Sequence, residues 1–149
     1  MAKQLMLPDT PSVSQLSHVI SQAAAPAFLL GALAAFIALL IARLNRILDR
    51  SIYLNQISDQ DQARCQLKAD LPRLVRRAGM INRAIFWSII GSISIAVVII
   101  VGIISAFFEI RHERGVAILF VIAVAAFVVS LVDFAREVRI ALNDSDHYG

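Results

Sequence analysis

The chain has 149 residues, of which 58% are hydrophobic and 17% are charged, and its formal net charge is +3. Long apolar runs occupy so much of this length that the remainder is too short for a separate soluble domain. The basic residues flank these runs, so they orient helices in a membrane and do not indicate nucleic-acid binding. The single cysteine, Cys65, excludes an intrachain disulfide. We therefore expect one membrane domain.

An N-terminal segment, residues 1–22, leads into the first apolar run, residues 23–42, which contains no charged residue. As a helix this run would cover roughly 30 Å, which is about the thickness of a hydrocarbon core. Pro26 falls in the first turns of the predicted span, where a missing amide costs little. Small residues follow one stripe of the run and permit close helix contact in lipid. They are Gly31, Ala35 and Ala38.

Residues 43–83 join the first run to the second and hold nine of the fourteen basic residues. Apolar residues recur there at steps of three and four on both sides of a turn-forming stretch, residues 58–61. Pro72 interrupts the second half, and Asp70 is a suitable cap for a helix that restarts or kinks there. The segment is therefore predicted to be a helical hairpin that continues both spans out of the membrane.

The second run, residues 84–108, also lacks charged residues and is predicted to be a membrane-spanning helix. A short link, residues 109–115, precedes the third run, residues 116–132, and a tail, residues 133–149, follows it. Small or hydroxylated residues form packing faces on both runs: Ser88, Gly91, Ser92, Gly102, Ala126 and Ser130. The serines either line a polar pore or bond to backbone inside a packed interface, and the absence of charge beside them favours packing.

The predicted fold class is all-α, a polytopic membrane protein with three transmembrane helices and a cytoplasmic helical hairpin between the first and second. Eleven Lys and Arg residues fall on the side of the hairpin and three on the other side. By the positive-inside rule the hairpin and the tail are cytoplasmic, whereas the N-terminus and the link are external.

Polar residues are predicted to meet at the inner ends of the three spans. Asp133 follows the third span directly, and a carboxylate at that depth needs a partner, for which Arg46 and Arg83 are the candidates and Arg43 is a third. The asparagines would bond exposed backbone or the same carboxylate. The proposed cluster consists of Asn45, Arg46, Asn82, Arg83 and Asp133. It is interpreted either as a clasp between helices or as a site for an ion or a lipid phosphate.

Other arginines either set the topology or attract anionic lipid headgroups, and each basic residue near the surface then contributes about 1 kcal/mol. The candidates for headgroup contact are Arg43, Arg50, Arg73, Arg76 and Arg77.

Four stretches carry a family resemblance: residues 25–30, the two Asn-Arg motifs within residues 43–50 and 76–85, and the ending at residues 134–138. Together they resemble the bacterial domain-of-unknown-function family 2721 over residues 13–142. The resemblance implies a three-span protein of the bacterial cytoplasmic membrane and supplies no catalytic residue.

The residues suggest no enzyme, because no set of acid, base, nucleophile or metal ligands is present, and we expect no cofactor and no metal. One hypothesis is a non-enzymatic membrane subunit or scaffold that assembles through the small-residue faces and the hairpin. The alternative is a homo-oligomeric ion channel or permeation unit lined by serines of the second span. The lack of charged residues at mid-membrane favours the scaffold. Its partners would be membrane lipid and further copies or other subunits of a membrane complex.

Overall fold

The computed structural model describes residues 13–57, 66–108 and 113–145, and within these ranges the regular structure is entirely helical. The elements are helix α1 at Val13–Asn55, a short 3-10 helix η1 at Gln66–Asp70, helix α2 at Leu71–Phe108 and helix α3 at Glu113–Ser145. Each of the three α-helices is long and apolar enough to cross a membrane. The prediction of an all-α, multi-pass membrane protein with three such helices is confirmed.

Helix α1 runs for 43 residues, so the segment before the first apolar run is helical from Val13 onward and continuous with that run. At about 1.5 Å per residue the helix is about 64 Å long, roughly twice the thickness of a hydrocarbon core. Pro26 therefore lies inside the helix, whereas the sequence placed it in the first turns. Because proline has no backbone N–H, one helical hydrogen bond is missing at this position.

The chain restarts as an α-helix at the predicted place. Helix η1 ends at Asp70, and α2 begins at Leu71 with Pro72 as its second residue. Proline is tolerated in a first turn because the N–H it lacks would have no acceptor within the helix. The predicted break at Pro72 thus coincides with a helix start. The predicted turn at residues 58–61 and Cys65 lie outside the described residues.

Helix α3 is longer at both ends than the predicted third span. It begins at Glu113, so the last part of the predicted link, residues 113–115, is helical, and residues 109–112 lie outside the described residues. At the other end it continues to Ser145. Most of the predicted tail is therefore an extension of the third helix.

Helix α2 lies between the other two helices, packs along both of them and runs antiparallel to both. Leu54 of α1 shares a buried cluster with Leu74 of α2, and towards the other end of both helices Leu33 packs with Ile95. The buried apolar residues of α1 recur every seven positions: Leu33, Leu40, Ile47 and Leu54. This repeat is typical of helices that pack side by side with a left-handed supercoil.

Helix α1 reaches α3 through long side chains. The ring of Phe36 contacts Phe127 and Phe134 edge to face, with centroid separations of 5.6 Å in both cases. The guanidinium of Arg43 lies 5.2 Å from the ring centroid of Phe134. Each edge-to-face pair contributes about 0.5–1.5 kcal/mol beyond the burial of its area. These contacts join the first and third helices at the level where polar residues begin.

Candidate functional site

One face of α3 carries buried polar residues. Its buried positions alternate steps of three and four: Ala123, Ala126, Ser130, Asp133 and Glu137. Asp133 is 2% exposed and Glu137 is fully buried. Burying such groups is costly unless each finds hydrogen-bonding partners. We call Ser130, Asp133 and Glu137, together with their partners on the other helices, the polar ladder.

Ser130 forms the first contact of the polar ladder. Its hydroxyl donates a hydrogen bond to the backbone carbonyl of Ala84 at 2.6 Å, and its oxygen lies 2.7 Å from the hydroxyl oxygen of Ser88. Because a serine has one hydroxyl hydrogen, the bond to Ala84 leaves Ser88 as the donor between the two serines. Both serines are fully buried. The contact therefore satisfies two hydroxyls inside the interface between α2 and α3.

Asp133 forms the second contact, with Arg83 of α2. The arginine donates two parallel hydrogen bonds, from Nε to Oδ2 at 2.7 Å and from Nη2 to Oδ1. Two parallel bonds between a guanidinium and a carboxylate are strong and fix the relative orientation of the groups. The Asp133 side chain is 3% exposed and that of Arg83 is 55% exposed. The pair therefore lies at the edge of the interface, with its cation accessible from outside.

The structure brings together two of the five residues of the predicted cluster, Arg83 and Asp133. Asn45, Arg46 and Asn82 are exposed and, within the described ranges, form no hydrogen bond with Asp133. The reason on α1 is rotation about the helix axis. Asn45 lies two positions before the buried Ile47. Because two residues turn a helix by about 200°, the side chain of Asn45 faces away from the core.

Glu137 forms the third contact, one helical turn beyond Asp133, and receives an arginine from each of the other helices. Arg77 of α2 donates from Nε and Nη2 to Oε1, at 3.0 and 2.8 Å. Arg43 of α1 donates from Nη1 to Oε2 at 3.1 Å. The glutamate side chain is fully buried, whereas those of Arg77 and Arg43 are 20% and 39% exposed. A single carboxylate thus ties all three helices together.

Arg43 and Arg77 were candidates for lipid headgroup contact, and the structure places their guanidinium groups on Glu137. Arg73 also has a partner within the chain. Arg50 and Arg76 are exposed. The contact of Arg77 with Glu137 was not predicted, although the sequence contains a signal for it. Arg77 falls three positions after Leu74 and four before Ile81, and both of these residues are buried.

The family described as protein of unknown function (DUF2721) matches residues 23–147. The chain belongs to this family. The matched range contains the whole polar ladder, and it confirms the resemblance found in the sequence motifs. No curated protein and no solved structure matches the chain.

In this DUF2721 chain, small residues bring α2 and α3 together beyond the polar ladder. A Cβ atom at Gly91 would lie 3.2 Å from the backbone oxygen of Ala123 and 3.8 Å from the Cβ of Ala126. Ser92 is half-buried and donates to the carbonyl of Ser88 at 2.9 Å. Of the predicted packing residues, four are buried in this interface: Ser88, Gly91, Ala126 and Ser130.

The other predicted packing residues point away from the helix contacts of the chain. Gly31, Ala35 and Ala38 on α1 and Gly102 on α2 are all exposed. A Cβ atom at Gly31 or at Gly102 would meet nothing within 4 Å. Gly31 is nine positions before the buried Leu40. Nine residues make about two and a half turns of helix, so the two residues lie on opposite faces. The small-residue stripe of α1 therefore faces opposite to the core of this DUF2721 chain.

Proposed function

We propose that this protein is a non-enzymatic membrane scaffold that assembles with further copies of itself or as a subunit of a larger membrane complex. One observation carries the proposal: the stripe of Gly31, Ala35 and Ala38 lies opposite the buried face of α1 and is left uncovered by the other two helices. A helix that only faced lipid would not need small side chains there, because lipid tails solvate large apolar side chains equally well.

The interface between α2 and α3 supports this interpretation of the stripe. There, Gly91 lets the two backbones approach closely, so the chain already uses small residues to pack one apolar helix on another. In lipid, such close packing supplies much of the attraction between helices, since no hydrophobic effect draws them together. The same feature on the outer face of α1 fits contact with a helix of another molecule.

The state of the buried carboxylates supports a role without catalysis. Asp133 accepts bonds from Arg83 on both oxygens, and Glu137 accepts bonds from two arginines. Carboxylate oxygens that accept hydrogen bonds from arginines of the same chain are already occupied and do not face a substrate. We therefore assign both residues to assembly of the three helices.

The alternative, a permeation unit lined by serines of α2, has less support from the side-chain contacts. Ser88 is buried against Ser130, and Ser92 and Ser94 donate hydrogen bonds to carbonyl groups of their own helix, each at 2.9 Å. A pore lining needs polar groups that face a common axis of several chains. The oligomer experiment that follows also bears on this alternative, because a closed ring with an axial cavity would favour conduction.

Replacing Gly31 with leucine is expected to shift the particle to a smaller or polydisperse species, because the larger side chain would hold a neighbouring helix away from α1. The fold of the single chain should be unaffected, since a Cβ at this position meets nothing within 4 Å. The measurement is light scattering on the protein extracted in mild detergent, with the detergent mass subtracted. Ala125→Leu is the matched control, because Ala125 is an exposed alanine on α3.

An oligomer of unchanged size in Gly31→Leu would remove the α1 stripe from the proposed interface. Equal disruption by Ala125→Leu would show a general effect of bulk on the lipid-facing surface and would equally contradict a contact through α1. Gly102→Leu extends the test to α2, because Gly102 is also exposed with open space beside it.

We also propose that the N-terminus is external and the C-terminus cytoplasmic, in a bacterial cytoplasmic membrane. The support is the distribution of eleven Lys and Arg residues on one side of the apolar runs and three on the other. Cys65, the only cysteine, belongs to the segment between α1 and α2. In intact cells it is expected to resist a membrane-impermeant maleimide and to become labelled after lysis. Labelling of intact cells would reverse the orientation.

A further inference from the structure

An open groove of about 630 Å³ lies between α2 and α3, on the side where Arg83 leaves the interface. Four of its lining residues are arginines: Arg76 and Arg83 from α2, and Arg136 and Arg139 from α3. Met80 and Ile140 contribute apolar surface, and among the residues whose side chains the structure describes, neither aspartate nor glutamate lines the groove. Two helices thus direct basic side chains into one concave surface.

The positive charge of this groove is largely uncompensated. Asp133 pairs with Arg83, but Arg76, Arg136 and Arg139 form no ion pair within the part of the chain that the structure describes. Like charges concentrated in a concave site repel one another and raise the local concentration of anions. An anion bound among the three guanidinium groups would relieve that repulsion.

The requirements of membrane topology do not explain this arrangement. The positive-inside rule needs basic residues near the ends of a span, at any position around the helix. Here arginines from two helices line the same groove, and a glycine, Gly79, also lines it. A Cβ at Gly79 would meet nothing within 4 Å, so the absence of a side chain leaves this part of the groove open.

The depth of the groove indicates the source of the anion. Arg83 directly precedes the second apolar run, and Arg136 lies four residues beyond the third, or about 6 Å along a helix. The headgroup layer adds about 5–8 Å on each side of the hydrocarbon core. Arginine binds phosphate oxygens through paired N–H groups, and the apolar lining suits the carbon atoms next to a lipid phosphate.

We propose that this groove is a binding site for a phosphate group, and that an anionic phospholipid of the surrounding membrane supplies it. Each single chain contains a complete groove, so the site does not depend on the self-association proposed above. The number of lipids bound per chain can therefore be measured whether or not the protein is oligomeric.

The test uses the full-length protein in micelles that contain phosphatidylglycerol, and native mass spectrometry counts the lipid that stays bound. The wild type is expected to retain phosphatidylglycerol in preference to phosphatidylcholine, which carries the same phosphate but no net charge. Gly79→Leu, which fills the groove without removing charge, should lower retention about tenfold. Arg136→Gln combined with Arg139→Gln should lower it about 25-fold, at about fivefold for each arginine that loses its hydrogen bonds to the phosphate.

The matched control is Arg46→Gln combined with Arg50→Gln, which removes the same charge from exposed positions on α1 outside the groove. It is expected to retain phosphatidylglycerol within about twofold of the wild type, because neither arginine lines the site. The thermal unfolding midpoint of each variant in phosphatidylcholine micelles reports whether it is folded. Should Gly79→Leu fail to fold, the two arginine pairs still decide the question.

Competition with inorganic phosphate distinguishes a lipid headgroup from a free phosphate ion as the source of the bound phosphate group. If it displaces phosphatidylglycerol only at high concentration, the lipid assignment is supported. If it protects the wild type against unfolding and phosphatidylglycerol does not, the lipid assignment is overturned. Equal loss of lipid in the groove and control pairs, or equal retention in all variants, would overturn the site itself.

Discussion

Glu137→Gln is expected to lower the free energy of unfolding by about 3 kcal/mol, the lower end of the range for breaking a buried ion pair. The glutamate is fully buried and accepts hydrogen bonds from Arg77 and Arg43, so its neutral amide would leave two cations without a counter-charge. The lower end applies because both arginines keep some contact with water. The measurement is chemical unfolding in detergent, followed by far-ultraviolet circular dichroism.

A double-mutant cycle identifies the pair responsible. Arg77→Gln removes the partner that donates two hydrogen bonds to Oε1 and leaves Glu137 with Arg43 alone. The loss in the double variant Arg77→Gln with Glu137→Gln should be smaller than the sum of the single losses by about 1–3 kcal/mol, because the second change removes a carboxylate that has already lost one of its two cations.

The control for this cycle is Arg46→Gln, which removes an exposed arginine from α1. Its effect should stay within about 0.5 kcal/mol of zero, alone and in combination with Glu137→Gln. Additive losses for Arg77 and Glu137 would mean that the contact does not contribute to stability. A loss of equal size in Arg46→Gln would point to the net charge of the protein as the cause.

The spans and their order could be predicted because a long run without charged residues has few stable alternatives to a membrane helix. The face of α3 could also be followed from Ala123 through Ser130 to Asp133, since the steps of three and four continue across the predicted membrane boundary. Residues that share such a stripe face the same neighbour. A stripe of this kind therefore predicts which side of α3 is polar and buried.

The partner of Asp133 could not be chosen from the sequence. Arg46 and Arg83 both lie near the ends of their spans, and the choice between them depends on how each helix is rotated about its axis. That rotation is set by packing, through contacts such as that of Gly91 with the backbone of Ala123. The partner of Arg77 was harder still to predict. An arginine at a core position of a helix is interpreted as a surface residue until the opposing carboxylate, Glu137, is known.

The small residues show a different limit of sequence patterns. Gly31 and Gly91 occur in similar apolar surroundings, and a helical stripe of small residues predicts close packing for both. The stripe does not say whether the neighbouring helix belongs to the same chain. The structure identifies the neighbour of Gly91, which is buried against α3, whereas Gly31 is exposed on the far side of α1.

Gly91→Leu is expected to lower the free energy of unfolding by about 3 kcal/mol, the upper end of the usual range for overpacking. A Cβ at this position would lie 3.2 Å from the carbonyl oxygen of Ala123, and the obstacle is backbone, which cannot rotate away as a side chain can. The leucine must push α2 and α3 apart. One turn away, the buried hydrogen bond between Ser88 and Ser130 would then lengthen as well.

Gly102→Leu is the matched control, because it makes the same substitution in the same helix at a position where a Cβ meets nothing within 4 Å. Leucine is a better helix former than glycine by about 0.8 kcal/mol, and this gain applies to both variants. The difference between their unfolding free energies, measured in detergent under conditions where the protein is monomeric, therefore isolates the contact with α3. Equal stabilities would mean that α2 and α3 do not pack closely at Gly91. A deficit confined to Gly91→Leu would establish that the glycine is required for the approach that places Ser130, Asp133 and Glu137 against their partners.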